Sequence, residues 1–213
     1  MVANFLSLLL SLVLALLCIA IPWGTRQVKT WQVIVVFVIA LVLWVLGAAF
    51  SLGWYPWTNI VDVLVAVGAG MLLGRVIPAK FWPFLIFLLV MSILDVTQVV
   101  LTAHPSTTVA PNASVPAGQL YANFFLQLPW GKYGIGIFDL LILAAIGVYW
   151  RRRNGEFLVA FAGIAIGLIV AYTILYAVPG ITLPLIPLLM LGWLCSTGMY
   201  RYRKQPADAK LSA

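Results

Sequence analysis

Seven long apolar segments, separated by short polar connections, occupy most of this chain of 213 residues. The segments lie at about residues 2–22, 31–50, 60–78, 81–103, 132–150, 156–178 and 181–200. Each reaches the roughly 17–25 residues that a helix needs to cross a bilayer. Hydrophobic residues make up 64% of the chain and charged residues only 8%, whereas soluble domains are roughly 45–50% apolar. The sequence therefore predicts an all-α polytopic membrane protein with about seven transmembrane helices, in a single transmembrane domain spanning residues 1–213.

The basic residues lie mainly in alternate connections, which predicts the orientation of the chain. Eleven of the twelve follow this pattern: Arg26, Lys29, Arg75, Lys80, Arg151, Arg152, Arg153, Arg201, Arg203, Lys204 and Lys210. Because cytoplasmic loops carry an excess of lysine and arginine, the N-terminus is predicted outside, the loop 105–130 extracytoplasmic, and the tail 201–213 cytoplasmic. The net charge of +7 then reflects topology and does not indicate a nucleic-acid partner.

Composition also excludes several classes of protein. The two cysteines lie inside apolar segments, which gives no disulfide framework, and a single histidine, His104, leaves no His/Cys metal cluster. No metal and no cofactor are therefore expected. The first apolar segment lacks a preceding basic region and is interpreted as a retained helix, not as a signal peptide. The compact chain favours a prokaryotic cell membrane.

Two aspartates interrupt consecutive apolar segments, namely Asp95 in the fourth and Asp139 in the fifth. A carboxylate facing hydrocarbon costs roughly 2.5–3.5 kcal/mol, so it indicates a functional site when a partner can be named. At about 1.5 Å per residue, Asp95 lies about 13 Å and Asp139 about 10 Å below the outer ends of their helices. These two helices run antiparallel. The carboxylates are therefore predicted at similar depth, where neighbouring helices would bring them together.

Paired carboxylates in a site of low dielectric constant cannot both ionise easily, so one proton is shared between them. An aspartic protease uses this state. One carboxylate takes a proton from water as the water attacks a peptide carbonyl, and the other protonates the developing oxyanion. The sequence therefore favours an acid/base site formed by Asp95 and Asp139.

A third element opens the last apolar segment, where Leu183, Pro184, Leu185, Ile186 and Pro187 follow one another. If the helix started at Gly180, the two prolines would lie about 6 and 10 Å below the outer surface. Proline lacks a backbone N–H, so two of them would disturb the first turns and leave carbonyls unpaired. An unwound substrate strand is one partner for such carbonyls.

These three elements resemble those of the presenilin and signal peptide peptidase family of intramembrane aspartyl proteases, over roughly residues 62–193. Leu94-Asp95 resembles the family's Tyr-Asp helix, with leucine in place of tyrosine. Gly134, Gly136 and Asp139 resemble the Gly-x-Gly-Asp motif, although Asp139 comes three residues after Gly136. An alternative match of 136–139 to that motif loses the second glycine. The segment 183–187 resembles the Pro-Ala-Leu signature.

The resemblance implies a reduced, prokaryotic-like member with a presenilin-like catalytic core, since the family has nine spanning helices. It implies that Asp95 and Asp139 are catalytic and that the substrate is a single-spanning segment or a remnant signal peptide. The residues that would bind substrate are Gly134, Gly136, Leu183, Pro184, Leu185, Ile186 and Pro187. We further hypothesise that residues 119–128 pair with the unwound substrate strand.

Other interpretations of the acids are open. The chain could be a small proton-coupled transporter or a catalytically silent binding protein, with Asp95 bonded to Ser92, Thr97 or Gln98. Asp62, near the start of the third segment, is predicted to cap a helix N-terminus, with a role in proton relay as the alternative.

Two small-xxx-small patterns, Gly70/Gly74 and Gly163/Gly167, permit close helix packing. Packing within the monomer is predicted, with a dimer face as the alternative.

Overall fold

The computed structural model describes residues 2–25, 27–49, 57–102, 125–126, 135–153, 156–178 and 183–211. Its seven helices are α1 (Val2–Gly24), α2 (Thr30–Ala49), α3 (Trp57–Val76), α4 (Phe81–Thr102), α5 (Ile137–Arg152), α6 (Phe157–Ala177) and α7 (Ile186–Leu211). Two short strands, β1 (Phe125–Leu126) and β2 (Ile135–Gly136), pair antiparallel with Phe125 opposite Gly136. The prediction of an all-α fold with seven helices is confirmed, with this small β pairing as an addition.

Two of the described helices are both long enough and apolar enough to cross a membrane, namely α2 over Thr30–Gly47 and α6 over Phe157–Ala177. Shorter apolar stretches lie in α1, at Leu12–Gly24, and in α4, at Phe81–Thr97. These helices are compatible with membrane association. Seven complete spans stay a prediction.

Helix α5 lies at the centre of the molecule, packed between α1 and α3 and adjoined by α6 and α7. Every residue from Asp139 to Trp150 is buried, as expected for a helix that is apolar on all sides. Helix α2 packs on the outer side of α3, and α4 packs against α7. The core of the protein is therefore formed around α5.

Glycines let two pairs of helices approach closely. A Cβ added at Gly70 on α3 would collide with the carbonyl oxygen of Leu141 on α5. A Cβ added at Gly163 on α6 would collide with Gly192 and Ser196 on α7. The prediction that both small-xxx-small patterns pack within the monomer is confirmed, because the backbones could not approach this closely with larger residues.

Two helix boundaries differ from the prediction. The fifth helix was expected from residue 132, but α5 begins at Ile137 because Ile135–Gly136 is extended and paired with β1. The last helix was expected over 181–200, but α7 begins at Ile186 and continues to Leu211, through most of the predicted tail. Pro187 is its second residue, where a missing backbone N–H leaves no helical hydrogen bond unmade. The prolines therefore precede and begin α7; they do not distort its turns.

Candidate active site

Asp139 lies in the first turn of α5. Its Oδ2 accepts a hydrogen bond of 2.9 Å from the backbone N–H of Gly136, which caps the helix in an extended conformation with φ −68° and ψ 149°. The side chain is 8% exposed. The helix start at residue 132, from which its depth was predicted, is wrong, because Asp139 follows strand β2 and occupies the third helical position of α5; its depth in a membrane stays a prediction. A carboxylate at this position satisfies a donor that the helix itself cannot.

Asp95 reaches from α4 to the beginning of α7. Its Oδ2 accepts a hydrogen bond of 2.9 Å from the backbone N–H of Ile186, the first residue of α7, and the backbone of Leu185 is a further partner. The side chain is partly buried. Asp95 therefore accepts a hydrogen bond from a backbone N–H at the beginning of α7, although Asp95 itself lies on α4. Asp139 accepts a similar hydrogen bond at the beginning of its own helix, α5.

The structure brings the two carboxylates close enough for their charges to interact. Each also lies at a helix N-terminus, which carries about half a positive elementary charge. Two such termini partly offset the repulsion between two neighbouring carboxylates. The arrangement gives two buried or partly buried acids, held by backbone donors, at one place in the fold.

The remaining predicted site residues lie around this pair. Leu183, Pro184 and Leu185 precede α7 and are partly buried, and Ile186 is buried. The carbonyl oxygen of Leu185 accepts hydrogen bonds of 3.0 Å from the N–H groups of Leu188 and Leu189; the expectation of carbonyls left unpaired by the two prolines stays a prediction. Because α7 begins there, this carbonyl belongs to the helix.

Gly136 has the capping role given above, and Pro187 is the second residue of α7. Gly134 lies outside the described residues. In the described part of the chain, no three His, Cys, Asp or Glu side chains come together as a metal site would require.

An aromatic cluster joins the three helices that carry the site. The ring of Phe84 on α4 stacks on Tyr149 of α5 with centroids 4.3 Å apart, and Trp193 of α7 lies 5.3 Å from Tyr149 and 5.4 Å from Phe84. Asp139 and Tyr149 are separated by about 15 Å along α5, at about 1.5 Å per residue. The cluster fixes α4, α5 and α7 relative to one another well below the carboxylates.

Two hydroxyl groups suggested as partners of Asp95 bind elsewhere. The Oγ of Ser92 donates to the Sδ of Met190 at 3.8 Å, and the Oγ1 of Thr97 donates to the carbonyl of Ile93 at 2.7 Å. The Gln98 side chain lies outside the described part of the chain. The interpretation of Asp95 as an acid bonded to Ser92 or Thr97 on its own helix is therefore wrong.

The predicted capping role of Asp62 is also wrong. Helix α3 begins at Trp57, so Asp62 lies beyond its first turn. The side chain is 2% exposed and faces the indole of Trp44 on α2. Asp62 is a buried acid between two helices, not a cap.

Sequence reasoning missed the backbone donors and the aromatic cluster. The donor of Ile186 is 91 residues from Asp95, and no local pattern reports such a pairing. Proline at the beginning of a helix is a start signal, and applied to Pro187 it would have placed the free N–H groups of α7 near residue 186. Comparisons of the chain with protein-family models, with curated proteins and with solved structures found no match.

Proposed function

We propose that this protein is a membrane-embedded aspartyl endopeptidase that hydrolyses peptide bonds in single-spanning segments or remnant signal peptides. The observation that supports the proposal is that Asp95 and Asp139, on separate helices, lie within reach of each other's charge. A pair of acids in a poorly solvated site is the arrangement that lets one carboxyl hold a proton while the other is ionised.

Exposed apolar surface supports placement of the bundle in a membrane. On α2 most large apolar side chains are exposed: Trp31, Ile34, Val35, Val36, Val38, Ile39, Leu41, Val42, Leu43, Val45 and Leu46. Soluble monomers rarely expose a contiguous apolar patch of more than a few hundred Å². In a bilayer the same surface faces lipid at no such cost.

Helix directions support seven spans as well. Gly70 and Gly74 of α3 meet successively later positions of α5, so these two helices are parallel, whereas Gly163 and Gly167 of α6 meet successively earlier positions of α7. Odd-numbered spans of a polytopic chain are parallel to one another and antiparallel to even-numbered ones. Because α3 and α5 are parallel, Arg75 and Arg152 lie together at one end of the bundle, a distribution that the positive-inside rule favours.

The proposed chemistry needs only water and the two carboxyl groups. The ionised carboxylate removes a proton from water while the water oxygen bonds to the carbonyl carbon, and the neutral carboxyl gives its proton to the carbonyl oxygen. The resulting tetrahedral diol collapses as the C–N bond breaks: the leaving nitrogen takes the proton first removed from water, and one hydroxyl of the diol returns its proton to the second carboxylate as the new C=O forms, which restores the starting state of the pair. Backbone donors from Gly136 and Ile186 hold one oxygen of each carboxylate in place.

The pairing of β1 with β2 indicates where an extended substrate would lie beside the two acids. A peptide bond in a helix is shielded by its hydrogen bonds, so the substrate must unwind before attack. Strand β2 ends at Gly136, three residues before Asp139, and an extended substrate beside it would pass the acids. The hypothesis that 119–128 pairs with the substrate stays a prediction; Phe125–Leu126, its described part, pairs with β2. The resemblance to presenilins and signal peptide peptidases agrees with this scheme.

The test is cleavage of single-spanning reporters of both orientations by the purified protein in bilayers. Asp95→Asn and Asp139→Asn keep an oxygen that accepts from the backbone donors but cannot act as acid and base. Each should abolish cleavage in a folded protein. Asp62→Asn is the matched control, because Asp62 is also buried but lies outside the pair, and it should still cut.

Two results would reject the proposal. Wild-type protein that cuts no reporter of either orientation would leave the acids as structural groups, which the backbone hydrogen bonds to both carboxylates would then explain in full. Equal loss of cleavage in all three variants would show that activity depends on buried acids in general and not on this pair. A small proton-coupled transporter, the other open interpretation, would instead show proton uptake lost in the Asp95 and Asp139 variants.

A further inference from the structure

A glycine lets α6 lie directly against the first turn of α7. A Cβ added at Gly167 would lie 2.6 Å from the carbonyl oxygen of Leu188 and 3.2 Å from its carbonyl carbon. Side-chain Cβ atoms essentially never lie within 3.0 Å of such a neighbour, and ordinary contact begins at 3.4 Å. Because the obstacle is backbone, it cannot turn aside as the end of a flexible side chain could. Any larger residue at position 167 would therefore displace one of the two helices.

The same turn of α7 supplies the backbone donor for Asp95. Leu188 is the third residue of α7, and its N–H donates to the carbonyl of Leu185 at 3.0 Å. Ile186, the first residue, donates its N–H to the Oδ2 of Asp95 at 2.9 Å. Since these residues belong to one turn, a displacement of the Leu188 carbonyl also displaces the N–H of Ile186. The first turn of α7 thus connects Gly167 with Asp95.

The helices on either side of this turn limit how a displacement can be absorbed. Helix α6 packs on α1 as well as on α7, and Ile164 and Leu168, on either side of Gly167 in the sequence, are fully buried. Helix α4 is fixed to α5 by the stacking of Phe84 on Tyr149, with ring centroids 4.3 Å apart. Closely packed interiors transmit a displacement to the element that is least held. The first turn of α7 is that element, since it lies between α6 and α4.

We propose that Gly167 is a positioning residue, which places the N–H of Ile186 against Asp95 and so sets the place of that carboxylate relative to Asp139. The inference rests on the proposed protease function for its effect on cleavage, whereas the contact itself is measurable without cleavage. Alanine at 167 would have to increase the distance of 2.6 Å to at least 3.4 Å, a displacement of about 0.8 Å. Hydrogen bonds from N–H to oxygen span only about 2.7–3.2 Å, so such a displacement weakens the contact with Asp95.

Gly167→Ala is the variant to make, and Gly74→Ala is its matched control. A Cβ added at Gly74 would lie 2.7 Å from the Cβ of Val148, so the control introduces the same methyl group into an equally close contact. That contact joins α3 to α5, and Val148 lies about 14 Å along α5 from Asp139. Unfolding of both variants by sodium dodecyl sulfate establishes that they are folded and that they are destabilised to a similar degree.

The first readout is the amide proton resonance of Ile186 in protein labelled with ¹⁵N-isoleucine, assigned from its absence in Ile186→Val. Asp95→Ala removes the acceptor and gives the position of this resonance without the hydrogen bond. Gly167→Ala should move the resonance most of the way to that position, and Gly74→Ala should leave it at the wild-type position.

The second readout is cleavage of the single-spanning reporters. A misplacement of about 1 Å can cost about 100-fold in rate. Gly167→Ala should therefore lower kcat by about 10- to 100-fold and leave KM nearly unchanged, since it acts on the placement of a reacting group and not on substrate binding. Gly74→Ala should leave both constants nearly unchanged.

An unmoved Ile186 resonance in folded Gly167→Ala overturns the proposal, and so does an equal movement in Gly74→Ala, which would reflect general loosening of the bundle. A moved resonance with unchanged kcat also overturns it, because the contact would then not act on cleavage. If the wild-type protein cuts no reporter, the proposed function fails, and the resonance alone decides whether Gly167 positions the contact with Asp95.

Should Gly167→Ala not fold, the comparison is repeated in a Gly198→Ala background. Gly198 meets open space, and alanine there favours the helix because it lowers the entropy of the unfolded backbone. Failure to fold in this background as well overturns the proposal, since a displacement confined to one turn of α7 would leave the bundle folded.

Discussion

Replacing Asp139 by alanine and by asparagine separates its structural role from its proposed chemical one. The carboxylate Oδ2 accepts from the N–H of Gly136 at 2.9 Å. Alanine removes that acceptor and leaves a partly buried donor without a partner, which costs about 1–3 kcal/mol; capping interactions at helix N-termini contribute about 0.5–2 kcal/mol. Asp139→Ala should therefore lower the free energy of unfolding by about 1–2 kcal/mol.

Asparagine keeps an acceptor oxygen of similar size. It gives up the attraction between a negative charge and the helix N-terminus, worth about 0.3–1 kcal/mol, and it also removes the repulsion from Asp95. These two effects oppose each other, so Asp139→Asn should change the free energy of unfolding by less than about 1 kcal/mol. Both variants should lack cleavage activity, because neither side chain can exchange a proton with water or substrate.

The assay is unfolding by sodium dodecyl sulfate in mixed micelles, followed by the fluorescence of the nine tryptophans. Alanine and asparagine variants of equal stability would refute the reasoning, since the hydrogen bond to Gly136 would then contribute nothing. Residual cleavage by Asp139→Asn would refute the assignment of Asp139 as an acid or base and leave its structural role untouched.

Two further predictions concern packing. Gly163→Ala should destabilise the protein by about 1–3 kcal/mol through overpacking of α6 on α7, whereas Gly198→Ala, which meets open space, should stabilise it by about 0.5–1 kcal/mol through lower backbone entropy; equal effects in the same unfolding assay would contradict the close contact. Phe84→Ala should cost about 3–5 kcal/mol and reduce cleavage, because α4 loses its stacking on Tyr149; unchanged cleavage in the folded variant would show that the cluster does not position the site.

The number and order of the helices could be predicted because they depend on local quantities. Apolar segment lengths gave seven helices, and all seven are present among the described residues. The glycine patterns at Gly70 and Gly163 identified the helix surfaces that pack closely, because a residue without a side chain lets a neighbouring backbone approach. The beginnings of α5 and α7 could not be placed in this way. The sequence stays hydrophobic through Ile135 and through Leu185. Ile135 nevertheless lies in strand β2, and Leu185 precedes α7, so hydropathy marks neither helix start.

Two acids in neighbouring apolar segments are visible in the sequence, since the position of a charged residue in such a segment needs no structure to recognise. What each acid touches depends on how the helices pack. Asp95 meets an N–H group 91 residues away, and Asp62 faces the indole of Trp44 on α2 where a helix cap was predicted. Four cations, Lys29, Arg75, Arg151 and Arg152, line one surface pocket, although they come from the connection before α2, from the end of α3 and from the end of α5. Such contacts depend on how helices pack, which is set by the shapes of all the packed surfaces together and not by any one stretch of chain.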